Sequence, residues 1–307
     1  MIKRKRVKLT KETIFIVLAF FAIYVIWGST YLLNKIAVQE LSPLYLSSTR
    51  FTLAGILIFG ISKALKLKLT ITRKQFLNNL LVGFLFLVYG NGVFVWALKY
   101  IDSSFAALQA SSLPLVVLIL MRILHKKKIK NVALLGVFLG ILGIYLLVSQ
   151  QEITSGENML LGVFMISTCI ISWAFGSVFV STAEMHSSYF VNSGYQMFTA
   201  GMLLAISSLI VGEEWKSPLV WSSATVNSMT LLIIFGSIVA FTAFNFLLKR
   251  VSPEKVATSS YVNPIIALLL GWYVLDENIT LQSIIAAIIL LLGVYFMNSS
   301  KNFKRLK

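Results

Sequence analysis

Cysteine, histidine and acidic residues are scarce in this 307-residue sequence, which has one cysteine, two histidines and 11 aspartates and glutamates. The single Cys169 can form no internal disulfide, and we interpret it as a small core residue. The sequence contains no HExxH motif and no paired cysteines, and no glycine-rich loop follows a predicted strand. These absences leave metal, nucleophilic and nucleotide-hydrolysing sites without their parts, so we expect neither an enzyme nor a cofactor.

Apolar residues, in contrast, dominate the chain, which is 58% hydrophobic and 12% charged and has a mean hydropathy of +0.86. Apolar runs of about 20 residues recur along the sequence, and a helix of that length crosses a hydrocarbon core of about 30 Å. The composition therefore predicts an all-α membrane protein.

Ten runs are long enough to be transmembrane helices. The first follows a basic segment, as a signal peptide would, but its apolar stretch is long and no small-residue cleavage site follows it, so we keep it as a helix. The predicted spans are 14–34, 43–65, 76–98, 103–124, 131–149, 159–182, 189–211, 228–248, 256–275 and 281–298.

Basic residues are distributed unequally between the predicted loops. If the N-terminus is cytoplasmic, the outer loops hold only Lys35, Lys99 and Lys216, and almost all other basic residues lie on the cytoplasmic side. This positive-inside asymmetry predicts a multi-pass cell-membrane protein with both termini in the cytoplasm. The net charge of +16 thus indicates topology and contact with anionic lipids, not nucleic acid. Abundant Lys, Ile and Asn are typical of a bacterial source.

The chain also contains an internal repeat. Trp27 aligns with Trp173 and Gly55 with Gly201, and a slightly larger shift aligns Pro114 with Pro264. We therefore predict two five-helix repeats, 1–150 and 151–307, joined by a polar linker over 150–158.

Because five is an odd number, the second repeat must be inverted relative to the first. The charges agree: Lys126 and Lys127 end the fourth span at the cytoplasmic face, whereas their equivalents Asp276 and Glu277 end the ninth at the outer face. Inverted repeats are typical of secondary transporters that bind substrate near the midplane. Duplication also produces some channels, and this alternative stays open.

Several short motifs resemble those of the drug/metabolite transporter superfamily, and within it the EamA-type family. The motifs are Trp27-Gly28-Ser29-Thr30-Tyr31, Arg50-Phe51 with Ala54-Gly55, Ala106-Ala107 to Pro114, Ser252-Pro253 to Asn263-Pro264, and Asp276-Glu277. The resemblance implies a ten-helix fold and transport activity, and it places Gln109, Asn245 and Asn263 on helices around a central cavity. There are two departures: Lys127 stands where the family often has an acid, and Gln196 is the repeat equivalent of Arg50.

Arg50 is the one charge well inside an apolar run. A cation is costly in hydrocarbon, so an intramembrane arginine is a candidate for function. Its guanidinium could face the bundle interior and bind a substrate carboxylate, or its stem could snorkel to the outer interface. The sequence leaves both interpretations open.

Three further groups of residues could build a binding cavity. Pro114 and Pro264 break their helices and fit a gating role or a simple kink. Aromatic and amide side chains suit an amphipathic organic substrate, although each also fits a packing role. The candidate substrate-binding residues are Arg50, Trp27, Tyr31, Trp96, Gln109, Trp173, Asn245, Tyr261 and Asn263.

No acidic residue lies in the central part of any predicted span. A carrier of cations needs such a carboxylate, so we expect zwitterionic or anionic solutes, such as amino acids, and their export by alternating access. The alternatives are a multidrug or other amphipathic-solute carrier and, from another class, a channel or non-transporting scaffold. The expected partners are a small-molecule substrate and membrane lipids, and a monomer is compatible with the sequence.

Overall fold

The computed structural model describes residues 11–97, 100, 106, 109–126, 128–149, 159–275 and 280–299. All regular secondary structure within these ranges is helical. A helix of four residues, Pro253–Val256, reaches the first residue of the predicted ninth span. The ten principal helices are α1 (Lys11–Val38), α2 (Pro43–Ala64), α3 (Arg73–Ala97), α4 (Leu113–His125), α5 (Asn131–Val148), α6 (Met159–Thr182), α7 (Tyr189–Val211), α8 (Ser223–Leu248), α9 (Ser259–Leu275) and α10 (Leu281–Ser299).

These helices overlap the ten predicted spans in order, and the prediction of an all-α membrane protein is confirmed. Six of the described helices, α1 to α3 and α6 to α8, are long and apolar enough to cross a membrane, and α4, α5 and α10 contain shorter apolar helices. The boundary between the two predicted repeats stays a prediction, because the linker over 150–158 lies outside the described residues. So do Lys99, Ala107, Lys127, Asp276 and Glu277.

The second helices of the two repeats, α2 and α7, pack directly against each other. A Cβ atom on Gly55 would lie 2.7 Å from the Phe198 backbone nitrogen, and one on Gly201 would lie 2.5 Å from that of Thr52. Gly55 and Gly201 are repeat mates, and so are Thr52 and Phe198. The same contact is therefore made twice, once from each repeat, as a pseudo-two-fold axis requires.

The fifth helices, α5 and α10, repeat this arrangement. A Cβ atom on Gly143 would lie 2.7 Å from Leu290 Cγ, and one on Gly293 would lie 3.0 Å from the Gly140 nitrogen. In both helix pairs the residue number rises along one helix as it falls along the other, so the equivalent helices are antiparallel. This confirms that the second repeat is inverted.

Among the described residues, three helices contain π-helical segments: α1 at Ala22–Ile26, α3 at Phe84–Val93 and α8 at Leu232–Val239. The last two occupy the third helix of each repeat. A π-helical turn carries an extra residue, so it widens the helix and shifts the direction of the side chains that follow. Such turns occur frequently at functional sites.

Two carboxylates join the repeats at one end of the bundle. Glu40, which follows α1, accepts hydrogen bonds from the backbone N–H and the hydroxyl of Ser222 at 3.1 and 2.8 Å, before the first turn of α8. Glu213, which follows α7, accepts from the backbone N–H groups of Leu44 and Tyr45 at 3.1 and 2.8 Å, in the first turn of α2. Each carboxylate thus caps a helix of the other repeat, where the helix dipole favours negative charge.

The cap made by Glu40 predicts an acid-sensitive stability. Hydrogen bonds from the Thr225 and Ser222 side chains lower the pKa of Glu40 below its ordinary value. A carboxylate whose pKa is lowered in the folded state stabilises the fold at pH values above its ordinary pKa. This contribution is lost as the pH falls through the lowered pKa of the folded state. We therefore expect the melting temperature of the wild type to exceed that of Glu40→Gln at about pH 6 and the difference to shrink toward about pH 3.5. A difference that is constant with pH would contradict this assignment.

Candidate functional site

Arg50 lies inside the bundle and is only 5% exposed. Its Nε donates a hydrogen bond of 2.8 Å to the Ser237 hydroxyl on α8. Its guanidinium carbon lies 5.0 Å from the centroid of the Phe51 ring, within the range of a cation–π contact. Of the two arrangements that the sequence left open, the structure therefore has the inward-facing one, and whether Arg50 binds substrate stays a prediction.

The guanidinium has no carboxylate partner within the described ranges of the chain. Ion pairs between described residues, such as Lys74 with Glu184 at 2.8 Å and Arg250 with Glu12 at 3.3 Å, join partly exposed side chains elsewhere. Arginine has five N–H donors, and only Nε of Arg50 has a hydrogen-bond partner among the described residues. Apart from Nε, its N–H donors therefore have no hydrogen-bond partner in the described part of the chain, and its charge is not neutralised there by a carboxylate.

The π-helical segment of α8 presents Gly236 to Arg50. A Cβ atom on Gly236 would lie 3.0 Å from Arg50 Nη2 and 3.0 Å from Thr30 Cγ2, so glycine leaves room for the guanidinium. The Gly236 carbonyl accepts a hydrogen bond of 3.2 Å from Trp27 Nε1. Gly236 on α8 therefore contacts both Arg50 on α2 and Trp27 on α1.

Trp27 and its repeat mate Trp173 meet in an aromatic cluster. Their rings are 5.9 Å apart in an edge-to-face arrangement. Phe244 lies 5.0 Å from Trp27 and 5.8 Å from Trp173, and Phe86 lies 4.9 Å from Trp173. These distances are typical of favourable aromatic pairs. The cluster joins α1, α3, α6 and α8 and thus contains residues of both repeats.

Tyr31 and Trp96 are close to this cluster in different ways. Tyr31 is half-buried and lies one helical turn beyond Trp27 on the same side of α1. Trp96 is half-buried near the end of α3 and packs against the same apolar core as Trp27 and Trp173. Both positions are compatible with a cavity between the repeats, and their binding roles stay predictions.

Asn245 belongs to a chain of buried amides. Its Nδ2 donates to Gln196 Oε1 at 2.8 Å and to Ser193 Oγ at 2.9 Å. Gln196 Nε2 donates to Asn79 Oδ1 at 2.9 Å, and Asn79 Nδ2 donates to Asn192 Oδ1 at 3.2 Å. The chain bridges α8, α7 and α3. Gln196, the neutral repeat equivalent of Arg50, thus takes part in contacts between helices.

Asn263 closes the π-helical segment of α1. Its side-chain amide faces three carbonyls, those of Ile23, Tyr24 and Ser259, which are 3.1, 3.0 and 3.0 Å from the nitrogen when the amide is oriented to donate to them. The carbonyls of Ile23 and Tyr24 lie within Ala22–Ile26, where α1 leaves the regular hydrogen-bond pattern. Asn263 therefore supplies a donor to irregular backbone at membrane depth, where unpaired groups are costly.

Gln109 and Tyr261 lie away from the aromatic cluster. Gln109 Nε2 donates to the Val163 carbonyl and the Ser167 hydroxyl of α6 at 2.7 and 2.6 Å. Tyr261 is fully buried, and its ring fills the space left by Gly140 on α5, where a Cβ atom would lie 2.2 Å from the ring. The structure does not bring these two residues together with Arg50.

The two prolines stand in different surroundings. Pro114 is in the first turn of α4, and a turn at Ser111 and Ser112 precedes it. Pro264 lies inside α9, and a turn at Ala257 and Thr258 comes nearly two helical turns earlier. Both helices are thus interrupted before their prolines, and the gating role stays a prediction.

The arrangement suits the binding of an amphipathic solute. A buried guanidinium can bind a carboxylate, and the neighbouring rings offer an apolar surface. No group of His, Cys, Asp and Glu side chains within the described ranges could hold a metal ion. Two inverted five-helix repeats that enclose a charged group and aromatic rings between them are the architecture of a secondary transporter.

The chain belongs to the EamA-like transporter family, whose model matches residues 14–149 and 160–299. It is 36% identical over 254 residues to the uncharacterized inner membrane transporter YedA of Escherichia coli K12, with 82% of this chain and 80% of YedA covered. The resemblance stated from sequence motifs is thereby confirmed, and so is the expectation of a membrane transporter.

More distant relatives cover nearly the same region. The uncharacterized transporter YoaV of Bacillus subtilis is 22% identical, with 92% of this chain and 96% of YoaV covered. An S-adenosylmethionine/S-adenosylhomocysteine transporter of Chlamydia trachomatis serovar L2 is 25% identical, with 85% and 83% covered. A solved crystal structure superposes with a TM-score of 0.77 at 18% identity and covers 92% of this chain and 95% of its own, which shows a shared fold.

Proposed function

We propose that the protein is a secondary transporter of small metabolites that bear a carboxylate, namely amino acids or related zwitterionic and anionic solutes. The observation that carries this proposal is the buried guanidinium of Arg50, which has no carboxylate partner within the described residues. The relative named as an S-adenosylmethionine/S-adenosylhomocysteine transporter supports it, because both of those solutes contain an amino-acid carboxylate.

The proposed mechanism is export across the cell membrane by alternating access, with both termini in the cytoplasm. The inverted repeats support this mechanism, since such repeats can exchange conformations and expose a central site to each side in turn. The loop charges support the orientation. The inner membrane transporter YedA supports the location in a bacterial cell membrane.

Replacing Arg50 by glutamine tests the proposal. Purified protein reconstituted in liposomes should transport labelled amino acids, and Arg50→Gln should lower the rate for carboxylate-bearing solutes about tenfold or more, because a charge-assisted hydrogen bond is lost. Transport of the corresponding decarboxylated amines should change much less. A matched control is Arg73→Gln, which removes an exposed charge at the start of α3. Unchanged amino-acid transport by Arg50→Gln would refute a substrate role for this residue.

An amphipathic-solute carrier is a second candidate because of a cavity of about 430 Å³ beside α4 and α5. The polar side of this cavity is formed by Gln109, Ser111 and Ser112, and its apolar side by Phe138, Ile141, Leu142 and Tyr145. Competition of hydrophobic cations with transport at low concentration would favour this candidate. Ion currents, or the absence of flux for every solute tested, would instead favour a channel or a scaffold.

A further inference from the structure

A second cavity, of about 250 Å³, lies at the end of the bundle where α6 ends and α7 begins. This space is large enough for several water molecules or for a small solute group with part of its hydration shell. It is distinct from the Arg50 site, because Asn245 in its lining follows Ser237 on α8 by about 12 Å of helix. Its lining is formed by Val180, Met185, His186, Ser187, Tyr189, Asn192, Asn245, Lys249 and Arg250.

The charged side chains of the lining are all basic. Lys249 and Arg250 come directly after α8, and the described residues that line the cavity include no aspartate or glutamate. Arg250 Nε lies 3.3 Å from Glu12 Oε1, which is outside this lining, so Lys249 is the lining cation that has no ion pair among the described residues. Lys249 Nζ donates one hydrogen bond, of 2.7 Å, to the Ala183 carbonyl, and an ammonium group has three donors. Burial lowers the pKa of Lys249, as expected for a cation that is partly removed from water without a counter-ion. An anion in the cavity would relieve this cost.

The floor of the cavity is rigid. Asn192 and Asn245 belong to the buried amide chain, and Asn192 is held on both sides of its amide by the backbone of His186, with Nδ2 donating to the carbonyl at 2.8 Å and Oδ1 accepting from the N–H at 3.0 Å. His186 Nδ1 in turn accepts a hydrogen bond of 3.1 Å from the Ser188 backbone. The connection between α6 and α7 is therefore fastened to the helices, and the cavity is preformed.

We propose that this cavity, between the α6–α7 connection and the end of α8, is a binding site for a small anionic group, a carboxylate or a phosphate, held by Lys249 and Arg250. Under the predicted topology it opens to the cytoplasm, from which the anion enters. The anionic group could belong to a free solute or to the headgroup of an acidic phospholipid. The site does not depend on the proposed role of Arg50.

Inorganic phosphate is a suitable probe for the free anion. Calorimetric titration of the purified full-length protein in an uncharged detergent at low salt should give one site per chain. Lys249→Gln should raise its Kd about tenfold, and the double variant with Arg250→Gln should abolish binding, because each substitution removes a charge-assisted contact. The matched control is the double variant Lys63→Gln and Lys68→Gln, which removes two exposed charges on the same predicted face. Its Kd should stay within about twofold of wild type.

A second arm separates the lipid from the solute. Thermal stability is compared in nanodiscs of phosphatidylcholine with and without phosphatidylglycerol, for wild type and Lys249→Gln. If phosphate does not bind but phosphatidylglycerol stabilises only the wild type, the anion at the site is a lipid headgroup. If neither probe depends on Lys249, the proposal is wrong. It is also wrong if Arg50→Gln abolishes phosphate binding, because the anion would then occupy the central site. If only the Arg50 transport test fails, the proposed anion site at Lys249 still stands.

Discussion

Gly201→Ala is expected to lower the melting temperature by roughly 5 °C or more, with most of the variant lost during purification. The added methyl group would lie 2.3 Å from Thr52 Oγ1 and 2.5 Å from the Thr52 nitrogen. The nitrogen belongs to the backbone of α2, so rotation of a side chain cannot relieve the overlap. The two helices must instead separate, and overpacking of this kind typically costs 1–3 kcal/mol, here about 3.

Gly60→Ala on α2 is the matched control. Gly60 is exposed, and a Cβ atom placed on it would have no neighbour within 4 Å. Because alanine favours helix by roughly 0.5–1 kcal/mol over glycine, this variant should be as stable as the wild type or slightly more so. Tryptophan fluorescence during heating in detergent measures both variants. Equal melting temperatures for Gly201→Ala and Gly60→Ala would contradict the close packing of α2 against α7.

Asn245→Leu is expected to destabilise the folded protein by about 2 kcal/mol. The substitution keeps the approximate volume of the side chain but removes the donor to Gln196 Oε1 and Ser193 Oγ. Both acceptors are buried, and a buried acceptor that loses its partner costs about 1–3 kcal/mol, although hydrogen bonds between membrane helices tend toward the lower end. The melting temperature should fall while the helical signal in circular dichroism persists at low temperature.

Asn227→Leu serves as the comparison, because Asn227 is an exposed asparagine on the same helix. It should leave the melting temperature within about 1 °C of the wild type. Transport measured in parallel separates two roles of Asn245. If Asn245 contacts substrate, the KM of Asn245→Leu for carboxylate-bearing solutes should rise above that of the wild type. If the melting temperature of Asn245→Leu equals that of the wild type, the amide chain does not hold α8 to α7.

Much of the fold could be predicted because its determinants are local or periodic. A helix that crosses hydrocarbon needs a continuous apolar run, so the ten runs appear directly in the sequence. The contact between Trp27 and Trp173 could be inferred from the repeat alignment, because equivalent residues close to a pseudo-two-fold axis lie near each other. Glycine pairs such as Gly55 and Gly201 had the same signal, and both pairs lie at the centre of the bundle in the structure.

The partners of Arg50 could not be predicted in this way. Ser237 is one of many small polar residues in apolar runs, and its direction depends on the π-helical segment Leu232–Val239, which breaks the regular helical periodicity. The partners of the two tryptophans were equally hidden, because Phe86 and Phe244 are two of 22 phenylalanines and nothing in their spacing distinguishes them. Glycine at 236 next to serine at 237 was the one available signal, because small residues allow a close approach of another helix.

Candidates chosen by residue type did not all lie near Arg50 in the structure. Gln109 satisfies the backbone of α6, and Tyr261 fills the space above Gly140. Amide and aromatic side chains serve both in packing and in binding, and the sequence does not state which helix they will face. Arg50 was the more informative residue, because a charge in an apolar run limits the environments in which it can be placed.

The caps that join the repeats have a consequence for motion. At one end of the bundle, Glu40 and Glu213 join α8 and α2 to the opposite repeat. At the other end, the Glu184 carboxylate pairs with Lys74 at 2.8 Å and the Glu184 carbonyl accepts a hydrogen bond of 2.8 Å from Asn78, so α3 is also joined to the opposite repeat. An alternating cycle opens one end while the other is closed, so contacts present at both ends at once are not the ones that alternate. We therefore expect α2 and α7, with the first turns of α3 and α8, to keep their contacts during the proposed transport cycle, and the movement to take place in α4 and α9.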